Sequence, residues 1–126
     1  MVQAIMLAGE TYKIPITFTP HLLPIDRGIL ETIYVSLKAG TSEAQVAAAL
    51  ETAYRHAPFV RLTGAALPEI KHVAHTNFCD IGWKFDEATH RVVLVSCIDN
   101  LIKGASGQAV QNMNLLYGWE ESEGLL

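Results

Sequence analysis

Charge is scarce in this 126-residue chain: Asp, Glu, Lys and Arg together supply only 17% of it. Nine basic side chains stand against 13 acidic ones, for a formal charge of −4, and no basic cluster emerges. That argues against nucleic acid as the main partner. Cysteine is scarcer still. Two of them are too few for a disulfide framework, so the expectation is a reduced, cytoplasmic protein. No apolar run is long enough to cross a bilayer. Met1 to Glu10 lacks a basic leader and a signal-length apolar core, so no membrane association or secretion is expected. Internal repeats and low-complexity tracts are absent too. What is plentiful is apolar surface, at 50% of residues. A chain of this length is one domain, or part of one, and buries about two thirds of its unfolded surface. So apolar a composition suggests that some surface meets another domain or subunit.

The pattern along the chain predicts these elements. Met1 to Ala8 reads as the tail of a helix stopped by Gly9. Tyr12 to Leu23 is strand-like, but Pro15, Pro20 and Pro24 confine it to an edge or make it irregular. Asp26-Arg27-Gly28 is a turn or bulge. Ile29 to Lys38 alternates as a strand. Ser42 to His56 is the clearest helix, capped by Thr41 or Ser42, with Val46, Ala49, Leu50 and Ala53 at helical spacing and Pro58 beyond its end. Phe59 to Leu62 is a short strand and Thr63 to Pro68 a loop. Ile70 to Phe85 and Arg91 to Ile98 read as an antiparallel hairpin, with Val92 to Val95 apolar at every position, as in a central strand. Ala105 or Ser106 to Tyr117 is the last helix, with Gly118 as its cap. The sum is an α+β domain: a mainly antiparallel mixed sheet with helices on one face. Its other face has no cover within the chain, and sheet-to-sheet pairing into a homo-oligomer would supply one.

Two segments carry unusual residues. In Phe18 to Leu30, His21 and Arg27 flank a proline-braced stretch. Arginine presents a planar fork suited to carboxylate or phosphate, and histidine can donate to an anion or move a proton. The plainer alternative is a solvated arginine and a satisfied strand histidine. In Asn100 to Asn114, glycines, amides and Lys103 gather where a turn becomes a helix. Gly104 and Gly107 permit close backbone approach, and free amides at a helix start attract anions. The alternative there is a tight contact between helix and sheet. His75 and Cys79, four residues apart on a predicted strand, would lie about 13 Å from each other. That is too far for a nucleophile and its base. His72, His75 and Cys79 lack the second close pair that a metal site requires. With Phe85 opposite His90, the two thiols fall on opposite faces of the hairpin.

Four ordered blocks resemble the C-terminal part of the N-acetyl-gamma-glutamyl-phosphate reductase family. They are Phe18-Thr19-Pro20-His21-Leu22 with Arg27-Gly28-Ile29-Leu30, then Pro58-Phe59-Val60-Arg61, then Asn77 to Gly82, and the run from Asp99 to Leu115. The resemblance spans about residues 14–125. It implies the C-terminal domain fold of glyceraldehyde-3-phosphate dehydrogenase-like enzymes. It also implies a part in an NADP-dependent oxidoreductase of arginine biosynthesis that reduces an acyl phosphate to an aldehyde. In that chemistry a cysteine forms a thioester, hydride reduces it and a histidine serves as acid and base. The family's Gly-Cys-Tyr-type nucleophile motif, its Rossmann fingerprint and its His-Arg-His segment have no match here. No catalytic residue is therefore assigned to this chain, and the isolated chain is expected to be inactive. The resemblance places His21 and Arg27 near the substrate anion. It places Asn100, Lys103, Gly104 and Gln108 near the cofactor or the domain junction. Residues 99–126 are expected to contact a nucleotide-binding domain outside this chain. Two other readings remain: a non-catalytic interaction module from a truncated copy, and a fragment of the related lysine-pathway reductase, whose acyl phosphate is held on a carrier protein.

Overall fold

The computed structural model describes residues 4–7, 10–13 and 17–126. Strands β1 (Ala4–Leu7) and β2 (Glu10–Lys13) pair antiparallel as a separate two-stranded sheet, in a register that closes at Leu7 opposite Glu10. This corrects the helix expected over Met1 to Ala8. A short apolar run has no periodicity of its own to choose between helix and strand, and the ladder to β2 decides it. Of the strand expected over Tyr12 to Leu23, Tyr12 and Lys13 lie in β2 and residues 17–23 are not strand. Residues 14–16 lie outside the described residues. From 17 to 28 the chain is an irregular strap, exposed as far as Asp26. Pro20 and Pro24 account for this, since neither can donate to a ladder.

The main sheet has four strands in the order β3-β6-β5-β4. Strand β3 (Ile29–Ser36) pairs antiparallel with β6 (Arg91–Ile98), and β6 pairs antiparallel with β5 (Cys79–Asp86). Strand β4 (Val60–Gly64) runs parallel to β5, which makes the sheet mixed. Strand β6, with its apolar run Val92 to Val95, is interior, as its sequence suggests, and Val92, Val95 and Cys97 are buried. Val93 and Leu94 stay half-buried, so the described residues cover β6 only in part.

Between β3 and β4 lies helix α1 (Glu43–Tyr54). The Ser42 side chain accepts from the Gln45 amide at 3.3 Å, and the Ser42 amide donates to Gln45 Oε1 at 2.9 Å. This reciprocal box satisfies two of the free donors at a helix start. The first half of the strand expected over Ile70 to Phe85 is instead a single helical turn, α2 (Ile70–Val73), followed by a reversal at His75, whose φ is 64°. Val73 is fully buried against β6, which explains an apolar residue that alternation alone assigns to a strand. The hairpin pairs Asp86 with Arg91, two residues of register away from the expected Phe85–His90 pairing. The Asp86 carboxylate accepts from the Ala88 and Thr89 amides and from the Thr89 hydroxyl, so it closes the turn from within the strand. Both registers keep the parity. Cys79 stands opposite Ile98 and Cys97 opposite Asp80, so the free thiols do point to opposite faces.

The core is Phe59, Val73, Ile81, Trp83, Val92, Val95 and Cys97. Phe59 also packs tilted on Phe78, with ring centroids 5.8 Å apart. After β6 the chain makes a π-helical turn (Ile102–Ser106) and then helix α3 (Gly107–Tyr117), closed by Gly118 in the left-handed conformation. No helix of the described residues is long and apolar enough to cross a membrane.

Candidate functional site: a buried carboxylate joining two distant segments

Asp99 follows directly on β6 and is wholly buried. Its carboxylate accepts from three backbone amides: His75 at 2.7 Å, Leu101 at 2.8 Å and Ile102 at 2.9 Å. It also accepts from Arg27 Nη1, at 3.2 Å to Oδ1 and 3.0 Å to Oδ2. Burial alone would push this carboxyl upward. The amides of His75, Ile102 and Leu101, together with the Arg27 guanidinium, outweigh it and hold the group at about 2. The backbone carbonyl of Asp99 accepts from Gly104 at 2.8 Å, and this five-residue reach opens the π-turn. Irregular turns of this kind recur where a helix start is used for something besides helix formation.

The next residue extends the junction. Asn100 Oδ1 accepts the Gly28 amide at 2.8 Å. Gly28 has φ +112° and lies so close to Ile70 that a Cβ would fall 2.2 Å from that side chain. Only glycine fits there on both counts. Arg27-Gly28 and Asp99-Asn100 are thus fastened by two hydrogen-bonded joints, although 72 residues separate them in sequence.

The residues singled out in the sequence therefore divide. Arg27, Asn100 and Gly104 come together around Asp99. Lys103 turns the other way: its Nζ donates to Gln111 Oε1 at 2.6 Å and sits 5.3 Å from the Phe59 ring centroid. Desolvation lowers its pKa. Gln108 bonds Asn112 along the exposed side of α3 at 2.9 Å. His21 is exposed on the strap, its Nδ1 3.0 Å from its neighbour Thr19's carbonyl, and no hydrogen bond joins it to Arg27.

Sequence reasoning missed the polar layer under this site. Asp99 appeared only as the first residue of a matching block. Asn77 is buried, donates to Gln111 at 3.0 Å, and leaves its Oδ1 without a partner among the described residues. Gly107 makes room for it, since a Cβ there would lie 2.2 Å from Asn77 Oδ1. Gln111 donates to Glu121 at 2.5 Å, and Asn114 donates to the Glu121 and Glu123 carbonyls, which pins the C-terminal hook onto α3. A second buried carboxylate, Asp80, takes Arg61 side by side, Nε to Oδ1 at 2.6 Å and Nη2 to Oδ2 at 2.9 Å, with the guanidinium 4.4 Å above Phe78. Buried polar residues must be paired, so Asp80 near the start of β5 and Asp99 just after β6, both at the open end of the hairpin, were the available signal. Among the described residues no group of His, Cys, Asp and Glu is arranged to hold a metal. An open hollow at the hairpin tip, lined by Lys84 to Ala88 and Val93, includes none of the site residues.

Comparison with known proteins agrees with the four blocks. The family model described as semialdehyde dehydrogenase, dimerisation domain, matches residues 1–100. Curated relatives named N-acetyl-gamma-glutamyl-phosphate reductase align along nearly the whole chain. The Geobacter metallireducens protein is 54% identical over 121 residues, covering 95% of this chain and 34% of its own length. The Pelotomaculum thermopropionicum protein is 54% identical over 120 residues, with shares of 94% and 34%. The Syntrophobacter fumaroxidans protein is 50% identical over 119 residues, again with 94% and 34%. The chain therefore spans about a third of the length of the curated relatives it matches.

Proposed function

Because this chain belongs to the semialdehyde dehydrogenase dimerisation-domain family, we propose that it is the substrate-side and subunit-interface third of a reductase acting on N-acetyl-gamma-glutamyl phosphate in arginine biosynthesis. Its fold is then that of the C-terminal domain of glyceraldehyde-3-phosphate dehydrogenase-like enzymes. The observation that carries this reading is the junction at Asp99. It joins residues from two of the matching blocks, Arg27-Gly28 and Asp99-Asn100, into one preorganised corner. Arg27, with 32% of its side chain exposed, stands at that corner as the contact for the substrate's anionic end, and His21 lies on the same strap. Preset donors of this kind act by positioning the substrate rather than by breaking bonds.

The attacking thiol and the acid/base histidine belong to the upstream two thirds of such a reductase. Cys97 is excluded as a nucleophile by its burial, which pushes its thiol up to about 11. NADPH, as the family's cofactor, would supply the hydride. The fit of this chain to it is narrow. Lys103 is folded onto Gln111 and Phe59, so it does not offer a phosphate contact as it stands. Gln108 is engaged with Asn112, and Gly104 contributes only its backbone. Asn100 gives its side-chain oxygen to the Gly28 amide, and its NH2 group has no partner among the described residues.

Two surfaces suit the remaining partners. Strand β3 lies at the sheet edge with Ile29, Leu30, Ile33 and Tyr34 exposed, which suits pairing with a second copy. Helix α3 buries polar Gln111 and Asn114 but exposes Met113, Leu116 and Tyr117. An apolar outer stripe calls for a cover, and the nucleotide-binding part of the longer protein would provide it. The test is an exchange: this chain replaces the C-terminal third of the Geobacter metallireducens reductase. The chimera should oxidise NADPH with N-acetyl-gamma-glutamyl phosphate, and the isolated chain should not. A folded, soluble chimera without turnover contradicts the proposal.

A further inference from the structure

We propose that Asp99 is a positioning residue for Arg27: it grips one arm of the guanidinium and leaves the opposite edge free to receive a carboxylate or phosphoryl group of the substrate. This rests on Arg27 being the anion contact proposed above. The place of Asp99 is set by the fold independently of Arg27, because three backbone amides from two other segments hold its carboxylate. Arg27 approaches with Nη1 alone. Its Nε and Nη2 have no hydrogen-bond partner among the described residues, and a third of the side chain reaches the surface.

The same molecule shows the alternative arrangement. Arg61 meets Asp80 with Nε and Nη2 together and gives Nη2 to the His72 carbonyl as well, so that edge of its fork is spent. An arginine present only to neutralise a buried carboxylate has every reason to adopt that fork-to-fork geometry, which is the stronger one. Arg27 forgoes it. The bond from the Gly28 amide to Asn100 fixes the main chain beside Arg27, so the free edge is held in one direction rather than swinging. A guanidinium edge of two parallel N–H groups matches the two oxygens of a carboxylate or phosphate.

The test is a double-mutant cycle in the chimera described above, read as KM and kcat separately. Arg27→Gln should raise KM by about tenfold or more and leave kcat within about threefold. Asp99→Asn should raise KM by about fivefold when Arg27 is present, and by less than about twofold when it is already Gln, because Asp99 acts through Arg27. Equal effects of Asp99→Asn in both backgrounds, or a loss confined to kcat, mean a purely structural carboxylate and overturn the proposal. Should Asp99→Asn fail to fold, Arg27→Lys decides. Lysine keeps the charge but has no second edge, so its KM should match that of Arg27→Gln, and an unchanged KM overturns the proposal. An unchanged KM in Arg27→Gln itself instead removes the anion-contact reading on which the proposal stands.

Discussion

Helices α1 and α3 are built in opposite ways. α1 has every local signal: the Ser42–Gln45 box, an acidic residue in its first turn, and a run of alanines. Yet none of its residues is buried. α3 has no side-chain cap, no acidic first turn and no basic last turn, and it begins on a π-turn. It nevertheless buries Gly107, Gln111 and Asn114 and ties Asn77, just before β5, to the C-terminal hook. Local propensity thus places a helix, while tertiary hydrogen bonds decide how much of the molecule depends on it. The helix with the weaker signals is the one beside the candidate site.

That contrast can be broken, first on the α3 side. Asp99→Ala should destabilise the chain by about 3–5 kcal/mol in urea unfolding, because Arg27 and three backbone amides lose their buried partner together. Acid should reach the same group more gently. Its pKa is depressed in the fold, so its contribution is complete above the ordinary carboxyl value of 3.8 and is lost as pH falls through about 2. A loss of ~2 kcal/mol across that window should be absent in Asp99→Asn. Gly107→Ala should cost about 1–3 kcal/mol despite alanine's better helix propensity, since the new methyl meets Asn77 Oδ1 and Ile102. A stabilising Gly107→Ala would show that α3 does not seat as described. On the α1 side, Ser42→Ala should cost at most ~1 kcal/mol. Its effect should be read as fraying of α1 by circular dichroism, with little change in the global midpoint. The smallest effect is chemical: Cys79, half-buried, should react with a thiol reagent in the native state, and Cys97, fully buried, only on unfolding.

The same contrast sets what could be read in advance. β3, α1, β6 and α3 were legible because each carries a period, a cap or a breaker. The β1 strand and the α2 turn were not. Both are short apolar runs, and pairing or packing at a distance chose their state. The site was legible in pieces. Arg27, Asn100 and Gly104 stood out by residue type, and they do converge. Lys103 stood out for its charge, but burial over Phe59 turned it away from the others. Asp99 stood in the sequence only at the head of a matching block. Its importance lies in partners from residues 27 and 75, which no local window contains.

Native-state hydrogen exchange with residue resolution tests the account most directly. The amides that donate to Asp99, those of His75, Leu101 and Ile102, should open only with global unfolding. So should the Gly28 amide on Asn100 and the first amides of α3. The amides of α1 should open at least ~1 kcal/mol below that level. Protection of α1 equal to or greater than that of the Asp99 junction would contradict the claim that this buried carboxylate is what organises the molecule.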